Sequence, residues 1–440
     1  MQLADWLAYQ QAQHPKAIEL GLDRVREVAS RLGLLPWIIP SVIVGGTNGK
    51  GSTVAFLTVL ARAGRCRVGT YTSPHLLRYN ERVAIDQQPV DDELLVRSFE
   101  RIESARAGVA LTFFEYGTLA ALDVFKSQAV DVAMIEVGLG GRLDATNIID
   151  ADVAVLTSVG LDHQEWLGPT REDIGREKSG IFRAGHPVIL GSPDLPRSVH
   201  QALATLRCQA RWMDADFRVQ PIAAEGSGAT TGESWMWRGW DQNFGPLPLP
   251  ALIGPVQPHN AAAAIAASVE LVRVRADLRN SEGAAVRIDD ALVAEAMRGV
   301  RLRGRFERIA PITATDPEWI LDVAHNEDSA RVLAQSLRTL ARPRRTFGVL
   351  GVLGDKDAAT IASELDGVVD EWVLCGLDGP RGGSAEALRA RLPASVKSVA
   401  LAPDVAHGCA VASALADAGD RIVVFGSFHV VGPALEWLRL

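Results

Sequence analysis

The feature that most constrains this chain is a glycine-rich segment, G-G-T-N-G-K-G-S at residues 45–52. It lies between an apolar run at 41–46, typical of a short buried strand, and a segment after Lys50 with helical spacing of apolar residues. Glycines let a backbone wrap around phosphate oxygens, and the N-terminus of the next helix and the Lys50 ammonium add positive charge. We therefore predict a phosphate-binding loop in an α/β domain. Its spacing departs from G-x-x-x-x-G-K-[ST], because Gly51 separates Lys50 from Ser52.

Strand-like and helix-like segments alternate in the N-terminal part of the chain and again toward the C-terminus. The runs at 131–138 and 152–159 are rich in valine without polar alternation, as expected for strands covered on both faces. Aromatic residues with polar alternation at 205–250 indicate small antiparallel strands, and an Ala-rich stretch at 260–273 indicates a helix. The alternation predicts two doubly wound α/β domains with mainly parallel sheets, which meet in sequence near 297–303.

Composition narrows the class of protein. The 440 residues are 48% hydrophobic and 22% charged, as in globular domains, and a formal charge of −8 with mixed signs argues against a nucleic-acid-binding face. The N-terminus lacks the pattern of a signal peptide, and the uncharged stretch 251–269 contains too many prolines and polar residues for a membrane span. Four distant cysteines fit a reducing compartment. We expect a cytoplasmic protein without nucleic-acid or membrane partners.

Several polar residues are candidates for a metal site. Glu136 ends a predicted buried strand, where α/β domains place their ligands, although it could also be a loop carboxylate or pair with Arg142. His163 follows another strand, but a lone histidine is more often structural, and Ser73 would ordinarily be a turn hydroxyl. Lys178 lies in a charged helical segment that could simply face solvent, and an ammonium cannot ligate a metal.

The second α/β region carries its own polar cluster. Asp322 and His325 follow a strand-like run in I-L-D-V-A-H-N, and Arg305 in G-R-F-E could fork onto a phosphate or carboxylate. Each could be structural. Together with a phosphate loop they suit the other half of an ATP cleft.

Taken together, these segments resemble the folylpolyglutamate synthase family, and within it the bifunctional bacterial enzymes that also have dihydrofolate synthase activity. The matching segments run in the family's order over nearly the whole chain: 46–52, 71–83, 113–119, 136–147, 161–163, 175–182, 258–260, 304–307, 322–326, 353–357 and 426–429.

The resemblance implies a fold and a reaction. Residues 1–298 would form a P-loop ATPase domain akin to those of Mur ligases, with a mainly parallel sheet plus small antiparallel strands. Residues 299–440 would form a smaller Rossmann-like glutamate ligase domain. The implied enzyme is an ATP- and Mg²⁺-dependent amide ligase, and we expect it to be a monomer. It would add L-glutamate to dihydropteroate and to reduced folates through an acyl phosphate.

The resemblance also implies roles for individual residues. Lys178 would be carbamylated by CO2, which turns a donor-only ammonium into a carboxylate-like metal ligand. Catalytic roles would fall to Lys50, Lys178 and His325. Nucleotide contacts would come from Asn48, Gly49, Lys50, Gly51, Ser52, Asn260, Arg305 and Asp322. Mg²⁺ would be surrounded by Ser73, Glu136, His163 and Lys178. Dihydropteroate would contact Ile18, Glu19, Leu20, Phe114, Glu115, Tyr116, Gly117, Leu143, Asp144 and Ala145.

Two details of the implied substrate site follow from chemistry. The Phe114 and Tyr116 rings could stack on a pterin or simply pack in the core, and Asp144 could accept pterin N–H groups. Glu19 stands where related chains carry aspartate, which keeps the carboxylate but lengthens its reach.

Three alternatives remain open from the sequence. A Mur-type ligase acting on a cell-wall nucleotide precursor would share the fold, but its loop usually lacks a residue equivalent to Gly51. A folylpolyglutamate synthase could lack dihydropteroate activity. A nucleotide-dependent switch would bind ATP without ligation, but it would have no need for the second-domain segments.

Overall fold

A computed structural model describes residues 1–13, 19–222, 234–311, 313, 316–379, 381–394, 396 and 398–440. The chain divides into two compact units. The first comprises Met1–His75, Tyr79–Ala251 and Pro258–Val300, and the second comprises Leu76–Arg78, Leu252–Gln257 and Arg301–Leu440.

The first unit is built on an eight-stranded sheet with the order β4-β3-β2-β5-β1-β6-β7-β8. All neighbouring strands are parallel except at β2-β3 and β3-β4. The central strands β1, β5 and β6 are buried along their whole length, as their largely apolar sequences predict. The strands are β1 Ser41–Gly45, β2 Val68–Tyr71, β3 Val83–Ile85, β4 Gln88–Pro89, β5 Val132–Glu136, β6 Val153–Leu156, β7 Pro187–Leu190 and β8 Gln209–Trp212.

Helices and a small second sheet complete this unit. Three antiparallel strands, β9 Arg218–Ile222, β10 Ser234–Arg238 and β11 Asn243–Pro248, lie in the order β11-β10-β9. The helices are α1 Leu3–Gln13, α2 Asp23–Arg31, α3 Lys50–Ala63, α4 Asp92–Arg106, α5 Phe113–Ser127, α6 Gln164–Leu167, α7 Arg171–Lys178, α8 Arg197–Leu206, α9 Gln257–Val274 and α10 Asp290–Gly299.

The second unit is a smaller α/β layer structure. Its six-stranded sheet has the order β12-β13-β17-β14-β15-β16 and is parallel except at the edge pair β12-β13. Two separate groups of buried apolar side chains cover the sheet. The elements are β12 Glu307–Ile309, β13 Glu318–Asp322, α11 Glu327–Thr339, β14 Thr346–Leu350, α12 Ala358–Glu364, β15 Glu371–Cys375, α13 Ala385–Ala390, β16 Ser398–Ala402, α14 Val405–Leu415, β17 Arg421–Phe425 and α15 Phe428–Trp437.

The predicted fold class is confirmed, with one correction in the 205–250 region. Residues 218–222, 234–238 and 243–248 do form antiparallel strands, but β8, which contains Arg211 and Trp212, pairs in parallel with β7 at the edge of the large sheet. Alternation of aromatic and polar residues is typical of any half-covered strand, so it could not distinguish an edge strand of the parallel sheet from a separate hairpin. No helix within the described ranges is long and apolar enough to cross a membrane.

Candidate active site

The segment Gly45–Ser52, called the phosphate loop below, joins β1 to α3 as the sequence predicts. Gly49 is the N-cap of α3 and has a left-handed backbone with φ of 88°, a conformation that favours glycine. A Cβ atom at Gly49 would lie 2.8 Å from Oδ1 of Asn260. Asn260, which is distant in sequence, therefore faces the predicted phosphate-binding turn.

Two lysines converge on one carbonyl of this loop. Lys50 Nζ donates to the carbonyl oxygens of Gly46 at 3.0 Å and Thr47 at 3.1 Å, while Lys178 Nζ donates to Gly46 O at 2.9 Å. Lys178 is only 5% exposed, so the alternative of a solvent-facing helix residue is wrong. Burial, and then the nearby Lys50 charge, lower the pKa of Lys178 to about 7.

Two of the four predicted metal residues are in contact. Glu136 is the last residue of β5 and is buried, and its Oε2 accepts the Ser73 backbone N–H at 3.2 Å. Arg142, the alternative partner considered for Glu136, instead donates from Nε and Nη2 to Glu177 Oε1 at 3.0 and 2.8 Å. A buried carboxylate thus stands at the C-terminal end of a central strand, where α/β folds place ligands.

His163 lies on the neighbouring segment after β6. It is the N-cap of α6 with φ of 51°, and its backbone N–H donates to Asp162 Oδ1 at 2.9 Å. Its side chain is 34% exposed and its Nε2 is 4.0 Å from Asp162 Oδ1. The imidazole is therefore accessible from solvent rather than packed in the core.

The predicted dihydropteroate residues fall into two groups, of which the first surrounds the loop after β5. Asp144 is buried and accepts the backbone N–H groups of Leu139 at 2.8 Å and Thr146 at 3.0 Å, and the Thr146 hydroxyl at 2.6 Å. Burial raises the pKa of its carboxyl group. The Gly21 N–H donates to the carbonyl of Leu143 at 3.4 Å, which brings the chain that directly follows Glu19 and Leu20 beside this loop. Ala145 begins the following 3-10 turn.

The second group lies at the start of α5. Glu115 forms a capping box with Thr112 and pairs with Arg24 at 3.1 Å, and Arg24 also bonds Glu19 at 2.7 Å. Tyr116 is completely buried, and its hydroxyl donates to Glu103 at 2.8 Å.

Phe114 and Gly117 complete this second group. Phe114 is half-buried, with its ring 6.0 Å from that of Tyr71. A Cβ atom at Gly117 would meet the Tyr79 hydroxyl at 2.8 Å. Of the three predicted residues near the N-terminus, Glu19 and Leu20 are half-buried, and Ile18 lies outside the described residues.

In the second unit, the three predicted residues lie at the end of β13 and just before β12. Asp322 accepts the backbone N–H groups of Phe306 and Ala324, both at 2.8 Å. Burial raises the pKa of Asp322, and the nearby Arg305 charge opposes that rise. The Arg305 guanidinium lies 5.2 Å from the centre of the Phe428 ring, and His325 Nδ1 bonds the Val323 carbonyl at 2.8 Å. Because a carbonyl only accepts, His325 Nδ1 carries a proton.

Comparison with known proteins identifies the family. The Mur ligase middle domain matches residues 44–190, and the Mur ligase glutamate ligase domain matches residues 304–428. The dihydrofolate synthase/folylpolyglutamate synthase of Escherichia coli strain K12 is 41% identical over 436 residues, which covers 99% of this chain and 95% of that protein.

Solved structures of related proteins also resemble this chain over its whole length. The E. coli FolC structure in complex with DHPP and ADP superposes with a TM-score of 0.89 at 38% identity, and covers 100% of this chain and 98% of its own. A bifunctional folylpolyglutamate synthase/dihydrofolate synthase with Mn, AMPPNP and L-glutamate bound gives a TM-score of 0.87 at 39% identity, with 100% and 98% coverage.

This chain belongs to the dihydrofolate synthase/folylpolyglutamate synthase family. As a member of that family it is an ATP-dependent ligase with Mur ligase domains, which confirms the predicted enzyme class.

The donor set at the β5 and β6 strand ends can be tested against the metal that this family implies. Within the described part of the chain, no group of three or more His, Cys, Asp and Glu side chains could hold a metal ion. Glu136, His163 and the Ser73 hydroxyl supply fewer oxygen donors than Mg²⁺ prefers. A carbamate on Lys178 would add two oxygen donors to this set.

In this member of the dihydrofolate synthase/folylpolyglutamate synthase family, three residues that shape the site were not predicted from the sequence. Thr157 and Ser158, directly after β6, both bond Asn48 of the phosphate loop, and Arg24 joins Glu19 to Glu115. For Thr157 and Ser158, the sequence signal was a pair of hydroxyl residues directly after an apolar run. For Arg24 there was no signal in the sequence, because its partners Glu19 and Glu115 lie on two separate segments.

Proposed function

We propose that this chain joins L-glutamate to dihydropteroate, forming dihydrofolate, and to reduced folates, forming folylpolyglutamates. Both reactions would consume ATP and require Mg²⁺. The observation that carries the proposal is the phosphate loop, where Lys50 and Lys178 meet at the Gly46 carbonyl within a chain of this family. The Lys50 ammonium and the N-terminus of α3 are suited to a highly anionic ligand such as a triphosphate.

The chemistry explains why ATP is needed. A carboxylate and an amine do not form an amide at neutral pH unless the carboxylate is activated. Transfer of the γ-phosphoryl group to the folate carboxylate gives an acyl phosphate and ADP. The glutamate amine then attacks the acyl carbon and displaces phosphate. The first step brings two anions together, so charge neutralisation and positioning supply most of the catalysis.

Residues of the phosphate loop would neutralise the charge of the phosphate groups. Lys50 would leave the carbonyls of Gly46 and Thr47 and bind phosphate oxygens, while the backbone of Asn48, Gly49, Gly51 and Ser52 would hold the phosphate groups. Asn260 would contact the nucleotide near Gly49, which its Oδ1 approaches. From the family resemblance we propose Arg305 and Asp322 as further nucleotide contacts, and a catalytic role for His325.

The metal would be held by Ser73, Glu136, His163 and a carbamylated Lys178. When bound, Mg²⁺ would neutralise phosphate charge during transfer. Lys178 is suited to carbamylation because its amine is buried and its pKa is lowered to about 7, so a large fraction is neutral near physiological pH. The neutral nitrogen attacks CO2, an N–C bond forms, and one proton is released. The resulting carbamate anion would lie beside the Lys50 ammonium.

The pterin would bind among Ile18, Glu19, Leu20, Phe114, Glu115, Tyr116, Gly117, Leu143, Asp144 and Ala145. Half-buried Phe114 and Leu143 offer apolar surface to an aromatic ring. Tyr116 and Glu115 are committed to Glu103, Thr112 and Arg24, so we propose that they shape the site rather than stack on the ligand. Asp144 holds the loop that carries Leu143 and Ala145.

We extend the proposal to organisation. The ATP-binding domain would span residues 1–298 and the glutamate ligase domain residues 299–440, in a cytoplasmic monomer. Sedimentation of the purified chain tests the oligomeric state directly, since a dimer would double the measured mass.

An ADP-release assay tests the proposed reactions. Purified protein with ATP, Mg²⁺ and glutamate should release ADP only when dihydropteroate or tetrahydrofolate is added. Release with a UDP-linked muropeptide would instead indicate a Mur-type substrate. Binding of ATP without substrate-dependent ADP release would indicate a nucleotide switch, and turnover of tetrahydrofolate alone would indicate a monofunctional enzyme.

A further inference from the structure

Two hydroxyl groups at the end of β6 hold the middle of the phosphate loop. The Thr157 hydroxyl donates to the Asn48 carbonyl oxygen at 2.6 Å, and the Ser158 hydroxyl lies 3.2 Å from the same oxygen. Ser158 Oγ also accepts the Asn48 backbone N–H at 3.1 Å. Thr157 is buried, so water competes little for its hydroxyl.

The same segment is attached to the loop one residue earlier. The Thr47 N–H donates to the Ser158 carbonyl at 2.9 Å, and the Gly160 N–H donates to the Thr47 hydroxyl at 3.0 Å. Residues 157–160 thus run along the loop and bond it at successive positions. Three residues later the segment reaches His163, a proposed metal ligand.

The bond to Asn48 has a directional consequence. In a trans peptide, the carbonyl and the following N–H point in opposite directions. The bond between Asn48 and Gly49 is not among the cis peptides of the described chain. Because the Asn48 carbonyl is held against Thr157, the Gly49 N–H must point to the other side of the loop. Gly49 caps α3, where N–H groups and the helix dipole favour anions.

We propose that Thr157 is a positioning residue for the nucleotide. Its hydroxyl fixes the peptide between Asn48 and Gly49, so that the Gly49 N–H faces the phosphate groups of ATP, and Ser158 supports the same peptide from the adjacent position. Thr157 would act on ATP through the backbone of the loop rather than by direct contact. This inference rests on the proposed binding of ATP at the phosphate loop, and it adds residues that determine the affinity of that loop.

The flexibility of the loop explains why such a residue is needed. Gly46 and Gly49 both have positive φ values, 147° and 88°, and glycine restricts the backbone less than any other residue. A glycine-rich loop can therefore rotate its peptides, and a rotated Asn48–Gly49 peptide would present a carbonyl dipole to the phosphates. Thr157 removes this freedom before the ligand arrives, which lowers the entropic cost of binding.

Three variants test the proposal. Thr157→Val keeps the shape of the side chain but removes the hydroxyl donor, and Thr157→Ser keeps the donor. The matched control is Thr58→Val, because Thr58 is also buried, lies in the same unit, and donates to a backbone carbonyl, that of Val54, at 2.8 Å. Calorimetric titration with Mg·ADP gives Kd, initial rates give KM for ATP and kcat, and thermal melts give Tm.

We expect Thr157→Val to weaken ADP binding about tenfold, as for the loss of a hydrogen bond to a buried acceptor, with a matching rise in KM for ATP. Thr157→Ser should restore most of the affinity. Thr58→Val should lower Tm by a similar amount without changing Kd. If Thr157→Val binds ADP as tightly as Thr58→Val, or if Thr157→Ser fails to restore affinity, the positioning role is wrong.

Two further results keep the test decisive. If Thr157→Val does not fold, Ser158→Ala removes both bonds from the Ser158 side chain to Asn48, and unchanged ADP affinity in that variant would overturn the proposal. If the unsubstituted chain itself fails to bind ADP, the proposed function fails, which differs from a failure confined to the variants.

Discussion

Lys50 and Lys178 donate to the same atom, the carbonyl oxygen of Gly46, at 3.0 and 2.9 Å. Two ammonium groups at one acceptor repel each other, and Lys50 is accordingly one cause of the lowered pKa of Lys178. The two lysines can therefore exchange the Gly46 carbonyl for other ligands when substrates bind. A triphosphate would draw Lys50 away from the carbonyl, and a carbamate on Lys178 would replace repulsion with attraction.

The first prediction concerns Lys50. Lys50→Ala should lower kcat for ATP-dependent ligation by at least about a hundredfold, because the variant lacks the ammonium that would neutralise the transferring phosphoryl group. Its Tm should stay close to that of the unsubstituted chain, since the hydrogen bonds from Lys50 to the Gly46 and Thr47 carbonyls lie within the loop itself. ADP release at saturating ATP is the measurement, and turnover near the original rate would contradict the assigned role.

The second prediction is a pH dependence of CO2 uptake by Lys178 in metal-free protein. Only the neutral amine reacts, and the pKa of Lys178 is lowered to about 7, so the carbamate signal should rise from pH 6 to 8 and then level off. A solvent-exposed lysine would reach the same point only near the ordinary lysine pKa of 10.5. The carbamate carbon can be followed by ¹³C NMR with labelled bicarbonate.

Lys50 provides the control for that titration. Lys50→Met removes a positive neighbour that lowers the pKa of Lys178, so the midpoint should move to higher pH. Lys178→Ala should abolish the signal and the ligase activity, and short carboxylates should restore part of the activity. A signal that persists in Lys178→Ala would assign the carbamate to another amine.

Comparison of sequence and structure shows which parts of this site were predictable. The phosphate loop could be predicted, because its glycines, lysine and helix start are consecutive in the chain. The burial of Lys178 against Gly46 could not be predicted, because the contact spans 132 residues and the local sequence of α7 is that of a solvated helix. The parallel pairing of β8 with β7 was not predicted for a related reason. Alternation of aromatic and polar residues indicates which face of a strand is exposed, but it does not indicate which strand lies beside it.

The third prediction tests the space around the phosphate loop. A Cβ atom at Gly46 would lie 1.8 Å from Thr157 Oγ1, and φ of 147° is unfavourable for other residues. Gly46→Ala should therefore lower the free energy of unfolding by about 1–3 kcal/mol and weaken ADP binding. Gly299→Ala is the control, because a Cβ there meets nothing within 4 Å and alanine favours helix. Equal stability of the two variants in urea would contradict the expected clash.

The last prediction separates the two glutamylation reactions at Asp144. The three hydrogen bonds described for this buried carboxylate come from Leu139 and Thr146 of its own loop, so Asp144→Ala should lower the free energy of unfolding by about 1–3 kcal/mol. The same loop carries Leu143 and Ala145, which we propose as dihydropteroate contacts.

Loss of Asp144 should therefore reduce dihydropteroate turnover more than elongation of tetrahydrofolate, if the second substrate seats its pterin elsewhere. Mg·ADP affinity should be retained, because the phosphate loop is a separate segment that makes its own bonds to residues 157–160. Steady-state kinetics with each substrate, alongside a titration with Mg·ADP, measures all three quantities on one preparation. Equal losses in both reactions would mean that the loop serves a site common to both substrates, and a parallel loss of ADP affinity would mean that its disruption spreads to the phosphate loop.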